Sequence, residues 1–326
     1  MAQDAGAALA APPSGTAPSG TAPTAAVPRR GRRRSRGVYW LLLPAIALLA
    51  LAEGYPLVRQ VIMSFQEFGR AQQFGAPPEW IGLDNYRELF TDAQMWAVVL
   101  RSLVFCLVTV VLTMLIGMLM ALVMMRVERV PRVILQVSML LCWAMPVIAA
   151  MTAWQWLFDT RYGLVNWLLT NLGVGDFTRH NWLIEPLSFF LVAVIIVVWM
   201  SVPFVAFTGY AALTQVPEDA LEAGQIDGAN AWQRWRFIIY PSIRPAMTIV
   251  LMLQIVWDLR VFTQIHYLQG VGGVPSETHL LGTYIYTLGV GQSQYGMASA
   301  FALFVLVLTL VLTGNYVRTL LREEAA

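Results

Sequence analysis

The chain has 326 residues, of which 58% are hydrophobic and 12% are charged, and its formal net charge at pH 7 is +2. Soluble domains carry about 25% charged residues, so this composition excludes an ordinary soluble protein and indicates an integral membrane protein. All 21 basic residues are arginine. A Walker A phosphate loop requires a lysine, so the chain is not its own P-loop ATPase. The small net charge gives no reason to expect a nucleic-acid partner.

The first part of the chain is of low complexity. Residues 1–28 are Ala, Pro, Gly, Ser and Thr with few exceptions, and six arginines follow between residues 29 and 36. Such a segment cannot bury a hydrophobic core. We therefore predict a disordered cytoplasmic tail over residues 1–37. The apolar run after it is followed by Glu53 rather than by a small-residue cleavage site, which favours an uncleaved first span over a signal peptide.

Six apolar runs are long enough to cross a bilayer, which takes about 20 residues. They lie near residues 38–58, 96–125, 133–158, 187–212, 246–268 and 297–317. Most of the arginines fall in the tail, in the turn after the second run and in the segment after the fourth, and the positive-inside rule places these segments in the cytoplasm. We predict an all-α integral membrane fold of six transmembrane helices with both termini in the cytoplasm.

This organisation divides the chain into three parts. The tail is followed by a first transmembrane helix and an extracytoplasmic loop over residues 38–95, and then by a core domain over residues 96–320. Pro146 and Pro203 fall inside the third and fourth runs, where we expect kinks because proline removes a backbone donor. Cys106 and Cys142 lie in apolar runs, and the histidines are scattered, so we expect neither a disulfide nor a metal site.

The longest polar stretch of the second half lies between the fourth and fifth runs, on the cytoplasmic side. Pro217 suits the first turn of a helix, Gly228 is typical of a helix end and Asn230 is typical of a helix start. The sequence therefore predicts a helix, a tight turn and a second helix over Ala231–Ile239. We expect Pro241 to end that second helix.

This stretch resembles the EAA loop of ABC importer permeases. The resemblance rests on Glu222-Ala223-Gly224, on Asp227-Gly228-Ala229 and on the residues from Ile238 to Pro241. The sequence departs from the family pattern at Gly224 and at Tyr240. We expect Gly224 to loosen the first helix. In that family the loop, here residues 214–245, is a coupling helix that docks on an ATPase subunit. The resemblance implies that Glu222 contacts the ATPase and that Gly228 permits the turn. The implied coupling residues are Glu222, Ala223, Gly224, Asp227, Gly228, Ala229 and Pro241. The alternative is an amphipathic connector that contacts no partner.

Four further motifs, at residues 80–86, 162–166, 262–278 and 295–300, resemble those of the maltose-type first permease in the carbohydrate branch of the same family. The departures are Thr263, where the family has Asp, and Val274, which interrupts a Gly-Gly-Pro sequence. The resemblance covers about residues 38 to 320. The run that begins at Trp257 is also similar to that of actinobacterial permeases for chitin- or maltose-type oligosaccharides.

The resemblance implies a type I ABC importer permease fold and a multi-pass subunit of the cell (inner) membrane. This subunit would form the translocation path of a sugar importer, most readily for an oligosaccharide, and would work by alternating access. The implied partners are a second permease chain, two ATPase subunits and an extracytoplasmic sugar-binding protein. The chain itself would be no enzyme and would bind no cofactor, since ATP and Mg would act on the ATPase chain.

A sugar path needs hydrogen-bonding and aromatic side chains at membrane depth, and polar groups there are candidates for function. The candidates are Trp154, Gln155, Gln254, Trp257, Asp258 and Arg260. Gln254 and Asp258 share a helix face because they are four residues apart. Two alternatives remain open, namely core packing for Trp154 and Trp156 and a structural ion pair for Asp258 and Arg260.

Two other functions remain possible. A stand-alone secondary transporter would not need a cytoplasmic coupling loop. A membrane-embedded enzyme acting on lipid-linked sugar would need a cluster of carboxylates or histidines at an interface. The densest acids outside the apolar runs are Asp84, Glu88 and Asp92, and these lie beside the first of the four outer motifs.

Overall fold

The computed structural model of the chain describes residues 36–323, and the side chains of residues 42–314. Almost all of the predicted tail, residues 1–35, lies outside the described residues. Contacts within the chain divide it into two compact units, Met1–Glu53 and Gly54–Ala326. The first unit contains helix α1 (Arg36–Leu49), which is followed by a π-helical turn (Ala50–Gly54).

The second unit is built from helices and one very short hairpin. Its elements in chain order are α2 (Tyr55–Ser64), β1 (Gln66–Glu67), α3 (Arg70–Gln73), β2 (Glu79–Trp80), α4 (Asp84–Thr91), α5 (Ala93–Arg126), α6 (Arg129–Ala144), α7 (Val147–Leu157), α8 (Leu164–Asn171), α9 (Pro186–Leu213), α10 (Glu218–Ile226), α11 (Ala231–Arg234), a π-helical turn (Trp235–Ile239), α12 (Tyr240–Leu259), α13 (Thr263–Val271), α14 (Pro275–Thr278), α15 (Leu281–Tyr286), a π-helical turn (Thr287–Gly291) and α16 (Tyr295–Glu323). The two strands pair antiparallel, Gln66 with Trp80 and Glu67 with Glu79.

Five helical segments of the described chain are long and apolar enough to cross a membrane. They are Leu42–Ser64, Ala93–Arg126, Pro186–Leu213, Ala231–Val271 and Tyr295–Gly314. The third predicted span is instead the pair α6 and α7, which are bent by 103° to each other. The prediction of a helical membrane protein is confirmed, and the predicted count of six holds if this bent pair is one span.

The two prolines inside the predicted spans behave differently. Met145, directly before Pro146, has the extended backbone that a following proline favours (φ −66°, ψ 130°), so α6 ends there and α7 starts in a new direction. The expected kink at Pro146 is therefore a full break. Pro203, in contrast, lies inside α9, which remains one helix on both sides of it.

The centre of the second unit is the packing of α5 against α9, with α12 packed on both. Glycines permit this close approach. A Cβ atom added at Gly117 of α5 would lie 2.6 Å from the Val205 side chain, and one added at Gly209 of α9 would lie 3.2 Å from the Cβ atom of Ala121. Small residues at such contacts are typical of packed membrane helices.

The end of the bundle at which α5, α9 and α16 begin is here called the outer end. Two of its sequence motifs meet at the hairpin. The Asn85 side chain is buried and donates hydrogen bonds to the carbonyl oxygens of Ser64 and Gln66, each at 3.0 Å. The backbone N–H of Gly296 donates to the Phe68 carbonyl oxygen at 2.9 Å, and any side chain at this glycine would collide with the Gln66 carbonyl oxygen. The motifs at residues 80–86 and 295–300 therefore join α2, α4 and α16.

Helices α2 and α4 both pack on α16, although they precede the predicted core domain in sequence. The domain boundary at residue 95 stays a prediction.

We predict that Asn85→Ala destabilises the protein by about 1–3 kcal/mol, because two buried carbonyl groups lose their donor. The measurement is thermal unfolding of the purified protein in detergent. Asn171→Ala is the matched control, since the exposed Asn171 side chain donates only to the Trp167 carbonyl oxygen of its own helix. Equal unfolding midpoints for the two variants would contradict the role given to Asn85.

Candidate functional site

The polar stretch between α9 and α12 folds as a helix that ends in a tight turn. Helix α10 begins after Pro217, with Glu218 and Asp219 in its first turn, where the helix dipole favours negative charge. It ends at Ile226, and Gly228, two residues later, has a φ of +79°, a conformation that favours glycine. The N–H of Ala229 donates to the Gly224 carbonyl oxygen at 2.9 Å, and the N–H of Gly228 donates to that of Gln225 at 3.0 Å. These two bonds form a Schellman motif.

The next helix starts as its sequence predicts. The Asn230 side chain accepts a hydrogen bond from the Gln233 N–H at 2.9 Å, and the Gln233 side chain accepts one from the Asn230 N–H at 2.8 Å. This capping box satisfies two donors that a helix start leaves free. The Arg234 guanidinium group also donates to the Ala229 carbonyl oxygen at 2.9 Å, which ties the second helix back to the turn. The predicted helix-turn-helix is therefore present.

The expectation that Pro241 ends the second helix is wrong. Helix α11, the π-helical turn and α12 follow one another without a break from Ala231 to Leu259. In the π-helical turn, the Tyr240 N–H donates to the Trp235 carbonyl oxygen, five residues earlier. A proline clashes with the carbonyl four residues before it in a regular α-helix. The wider turn directly before Pro241 accommodates it, and the second helix of the loop is continuous with the fifth span.

One side of the loop packs against the bundle. Leu221, Trp235 and Ile238 lie against a buried cluster that includes Val205 of α9 and Ile243 of α12. A Cβ atom added at Gly224 would lie 2.8 Å from the Cδ1 atom of Ile238. Beyond any loosening of α10, Gly224 therefore lets the two helices of the loop approach closely.

The other side of the loop is exposed. Glu222, Ala223 and Asp227 all lie on it. Two large apolar side chains accompany them, Ile226 at 86% exposure and Trp232 at 69%. Exposed apolar residues next to polar ones are typical of a surface that binds another protein. We call the exposed residues Glu222, Ala223, Ile226, Asp227 and Trp232 the coupling ridge.

The predicted path residues of α12 lie on different faces. Trp257 is 46% exposed and packs against Phe204 of α9, with a ring-centroid distance of 5.1 Å. Arg260 is exposed at the end of the helix. Gln254 and Asp258 are 0% and 3% exposed and do not reach the exposed face. Gln254 and Asp258 are therefore enclosed by the bundle, whereas Trp257 is open on one side.

The predicted path residues of α7 also separate. Trp154 is half-buried, stacks on Phe158 with a centroid distance of 6.0 Å and lies edge-on to Trp199 at 5.5 Å, as the packing alternative expects. Gln155 is exposed, and its side-chain oxygen accepts a hydrogen bond of 2.7 Å from the Tyr267 hydroxyl group. This bond links α7 to α13. Sequence reasoning missed Phe204 and Tyr267, because their partners lie on other helices.

The motif at residues 162–166 organises the loop beside α7. The buried Asn166 accepts a hydrogen bond of 2.6 Å from the Trp182 indole N–H and donates one of 2.9 Å to the His180 carbonyl oxygen. The N–H groups of Tyr162 and Arg161 both donate to the Asp159 carboxylate, which holds the pKa of Asp159 below its usual range.

Among the described residues, no group of three or more His, Cys, Asp and Glu side chains is placed to hold a metal ion.

The model of one protein family, the binding-protein-dependent transport system inner membrane component, matches residues 113–318. The chain belongs to this family. It is a multi-pass membrane permease component and not an enzyme, as its sequence motifs predict. These residues include the coupling ridge and the whole of the helix that follows it.

Curated relatives match over most of the chain. The diacetylchitobiose uptake system permease protein DasB of Streptomyces coelicolor is 41% identical over 88% of this chain and 87% of its own length. The trehalose/maltose transport system permease protein MalF of Thermococcus litoralis is 31% identical over 88% of this chain and 94% of its own length. Both relatives are named as transport permeases.

A solved structure of similar fold is a bacterial ABC transporter involved in the import of the acidic polysaccharide alginate. It aligns with a TM-score of 0.74 at 24% identity, over 87% of this chain and 95% of that one. At this identity the likeness establishes the fold, which is that of an ABC importer permease.

We predict that Gly228→Val opens the coupling loop, because a branched residue in the left-handed region is strained by about 1–2 kcal/mol. The measurement is the rate of trypsin cleavage after Arg234 and Arg236 in membrane vesicles that expose this loop. We expect faster cleavage than in the wild-type protein. Gly270→Ala is the control, since a Cβ atom there meets nothing within 4 Å. An unchanged cleavage rate in Gly228→Val would show that the turn does not depend on glycine.

Proposed function

We propose that this chain forms one half of the translocation path of an ATP-driven importer for an oligosaccharide. The proposal rests on one continuous helix that connects two exposed surfaces. The exposed coupling ridge lies at one end of a continuous helix, and exposed Trp257 lies near the other end. At about 1.5 Å per residue, the helix from Ala231 to Leu259 spans about 43 Å, which exceeds the thickness of the hydrocarbon core.

In this proposal the coupling ridge binds an ATPase subunit, and that subunit holds the ATP and Mg. Ile226 and Trp232 supply apolar contact area, and Glu222 supplies a charge that a basic surface would recognise. Gly224, Gly228 and Ala229 shape the ridge from within, since they form the close contact to Ile238 and the turn between the helices. Pro241 lies at the junction with α12.

ATP binding drives transport only as far as it favours one conformation of the path over the other. If the connection between the ATPase and the path could bend, ATP binding would no longer favour one conformation of the path. The helix has no flexible linker between Trp232 and Trp257, so a displacement of the ridge would displace the inner end of α12. We infer that alternating access proceeds by rigid movement of α12 and the helices packed on it.

A saccharide is the substrate class that the exposed surface favours. Sugars present hydroxyl groups together with flat apolar faces, so they bind where aromatic rings lie near hydrogen-bonding groups. We infer that the adjacent rings of Trp257 and Phe204 supply the aromatic contact and that exposed Arg260 and the Gln155–Tyr267 pair supply polar groups. The named substrates of the two curated relatives are likewise disaccharides.

Of the remaining predicted path residues, Trp154 packs on Phe158 and Trp199, and Gln254 and Asp258 are buried inside the bundle. A second permease chain would provide the opposite wall, because Trp257 is open on one side. An extracytoplasmic sugar-binding protein would dock at the outer end.

The assignment of both termini to the cytoplasm follows from the arginine distribution and is part of the proposal.

We predict that Glu222→Arg abolishes ATP-driven uptake while the chain still inserts and assembles, because the charge of the coupling ridge is reversed. The measurement is uptake of radiolabelled N,N′-diacetylchitobiose, maltose and trehalose by cells that carry the complete importer, together with ATPase activity of the purified complex. Glu128→Arg is the matched control, since Glu128 is also exposed and lies in the other proposed cytoplasmic turn. Preserved uptake in Glu222→Arg would refute the coupling role.

We predict that Trp257→Ala lowers uptake of the transported probe by about twofold to tenfold, since loss of one aromatic contact costs about 0.5–1.5 kcal/mol. Trp257→Phe retains an aromatic face and is expected to keep most of the uptake. Uptake kinetics with equal amounts of assembled importer provide the measurement. If both variants transport like the wild type, Trp257 does not line the path.

A further inference from the structure

The contact of α5 with α12 contains a buried polar group within two membrane-spanning helices. Asp258 and Gln254 of α12 and Thr109 of α5 are 3%, 0% and 0% exposed. The Gln254 side-chain N–H donates to the Asp258 Oδ1 atom at 3.1 Å. Thr109 lies beside the Asp258 carboxyl group, and its hydroxyl group donates to the Phe105 carbonyl oxygen at 2.8 Å.

Two oxygen atoms of this group have no hydrogen-bond partner. They are Oδ2 of Asp258 and Oε1 of Gln254, and both are buried. A buried acceptor without a donor costs about 1–3 kcal/mol, and more if it carries charge. As a carboxylate, Asp258 could not correct this, because a carboxylate oxygen and an amide oxygen both accept and neither donates.

The described side chains that act on the Asp258 carboxyl group are neutral. They are the Gln254 amide, the Thr109 hydroxyl and the Cys106 thiol. An ionised carboxylate in an apolar interior is strongly unfavourable unless a cation pairs with it. Protonation of the Asp258 carboxyl group would remove its charge and would also supply a donor for an unpartnered acceptor.

We propose that Asp258 is held as a neutral carboxylic acid whose Oδ2 hydroxyl group donates to Gln254 Oε1. With the Gln254 N–H donating to Oδ1, the two side chains form an acid–amide pair with two opposed hydrogen bonds. A single bound proton satisfies both unpartnered atoms and removes the charge. The pair is thus a proton-binding site in the bundle, and it is separate from the exposed surface around Trp257.

The pair makes Asp258 a positioning residue. It lies on the face of α12 that packs against α5, and it directly follows Trp257, which points to the exposed face. Without a charge on Asp258, this face of α12 can stay packed against α5 while Trp257 stays on the exposed face. The position of Trp257 matters only if the proposed path exists, whereas the acid–amide pair does not depend on that path.

Three variants test the pair through thermal unfolding of the full-length chain purified with its importer partners. Asp258→Asn replaces the acid hydroxyl by an amide N–H, keeps both hydrogen bonds and should keep the wild-type unfolding midpoint. Asp258→Leu leaves Gln254 without partners and should lower the midpoint. The double variant Asp258→Leu with Gln254→Leu removes both polar groups and should recover most of the loss. If Asp258→Asn is as destabilised as Asp258→Leu, the carboxylate form is needed and the proposal is overturned.

Infrared spectroscopy of the same complex tests the proton directly. The difference between wild type and Asp258→Asn should contain the C=O stretching band of a protonated carboxyl group, and this band should shift on transfer to D₂O. Carboxylate stretching bands in its place would contradict the proposal. Neither the unfolding nor the infrared measurement depends on transport, so failure of the sugar-import proposal would leave both tests valid.

Discussion

The helical segment from Ala231 to Leu259 passes without a break from the coupling loop into the centre of the bundle, and the proposed transmission of movement depends on its rigidity. The π-helical turn before Pro241 is what keeps the segment continuous, because it absorbs a proline at the point where a regular helix would end. The capping box at Asn230 and the Arg234 bond to Ala229 fasten the start of the segment to the exposed turn. The described segment therefore contains no break between the coupling ridge and α12, as the proposed transmission of movement requires.

Two kinds of contact hold the bundle around this segment together. Some depend on small residues that let helices approach closely, and others depend on buried hydrogen bonds. Gly117 and Gly209 let α5 and α9 approach closely, which forms the surface on which α12 packs. At the outer end, Asn85 and Gly296 hold the hairpin, α2, α4 and α16 together. The motifs that resemble the carbohydrate permeases thus have direct structural roles. At the outer end they join the hairpin to α2, α4 and α16, where the proposed binding protein would dock.

Local chemistry in this chain was predictable from sequence, and contacts between distant helices were not. Gly228 and Asn230 act through their own backbone and near neighbours, so the turn and the helix start follow from residue type. The prediction that Pro241 ends a helix is wrong because the effect of this proline depends on the wider turn before it. At Pro146 the helices meet at 103°, a full break rather than a kink, because no helical hydrogen bonds span it. Gln254 and Asp258 do share a face, as their spacing predicts. Their burial depends on α5, which sequence spacing within α12 does not reveal.

The most direct measurement is a distance within the segment itself, in the complete importer. Spin labels at Ala231 and Ile249, both exposed, would be introduced with Cys106 and Cys142 replaced by alanine, and the labelled importer must retain ATP hydrolysis. Pulsed electron resonance would then compare the nucleotide-free and ATP-trapped states. A rigid segment predicts one distance of about 27 Å between the labelled backbone positions in both states. A distance that changes between the states, or broadens in one of them, would mean that the segment bends and that the coupling ridge does not move the path through it.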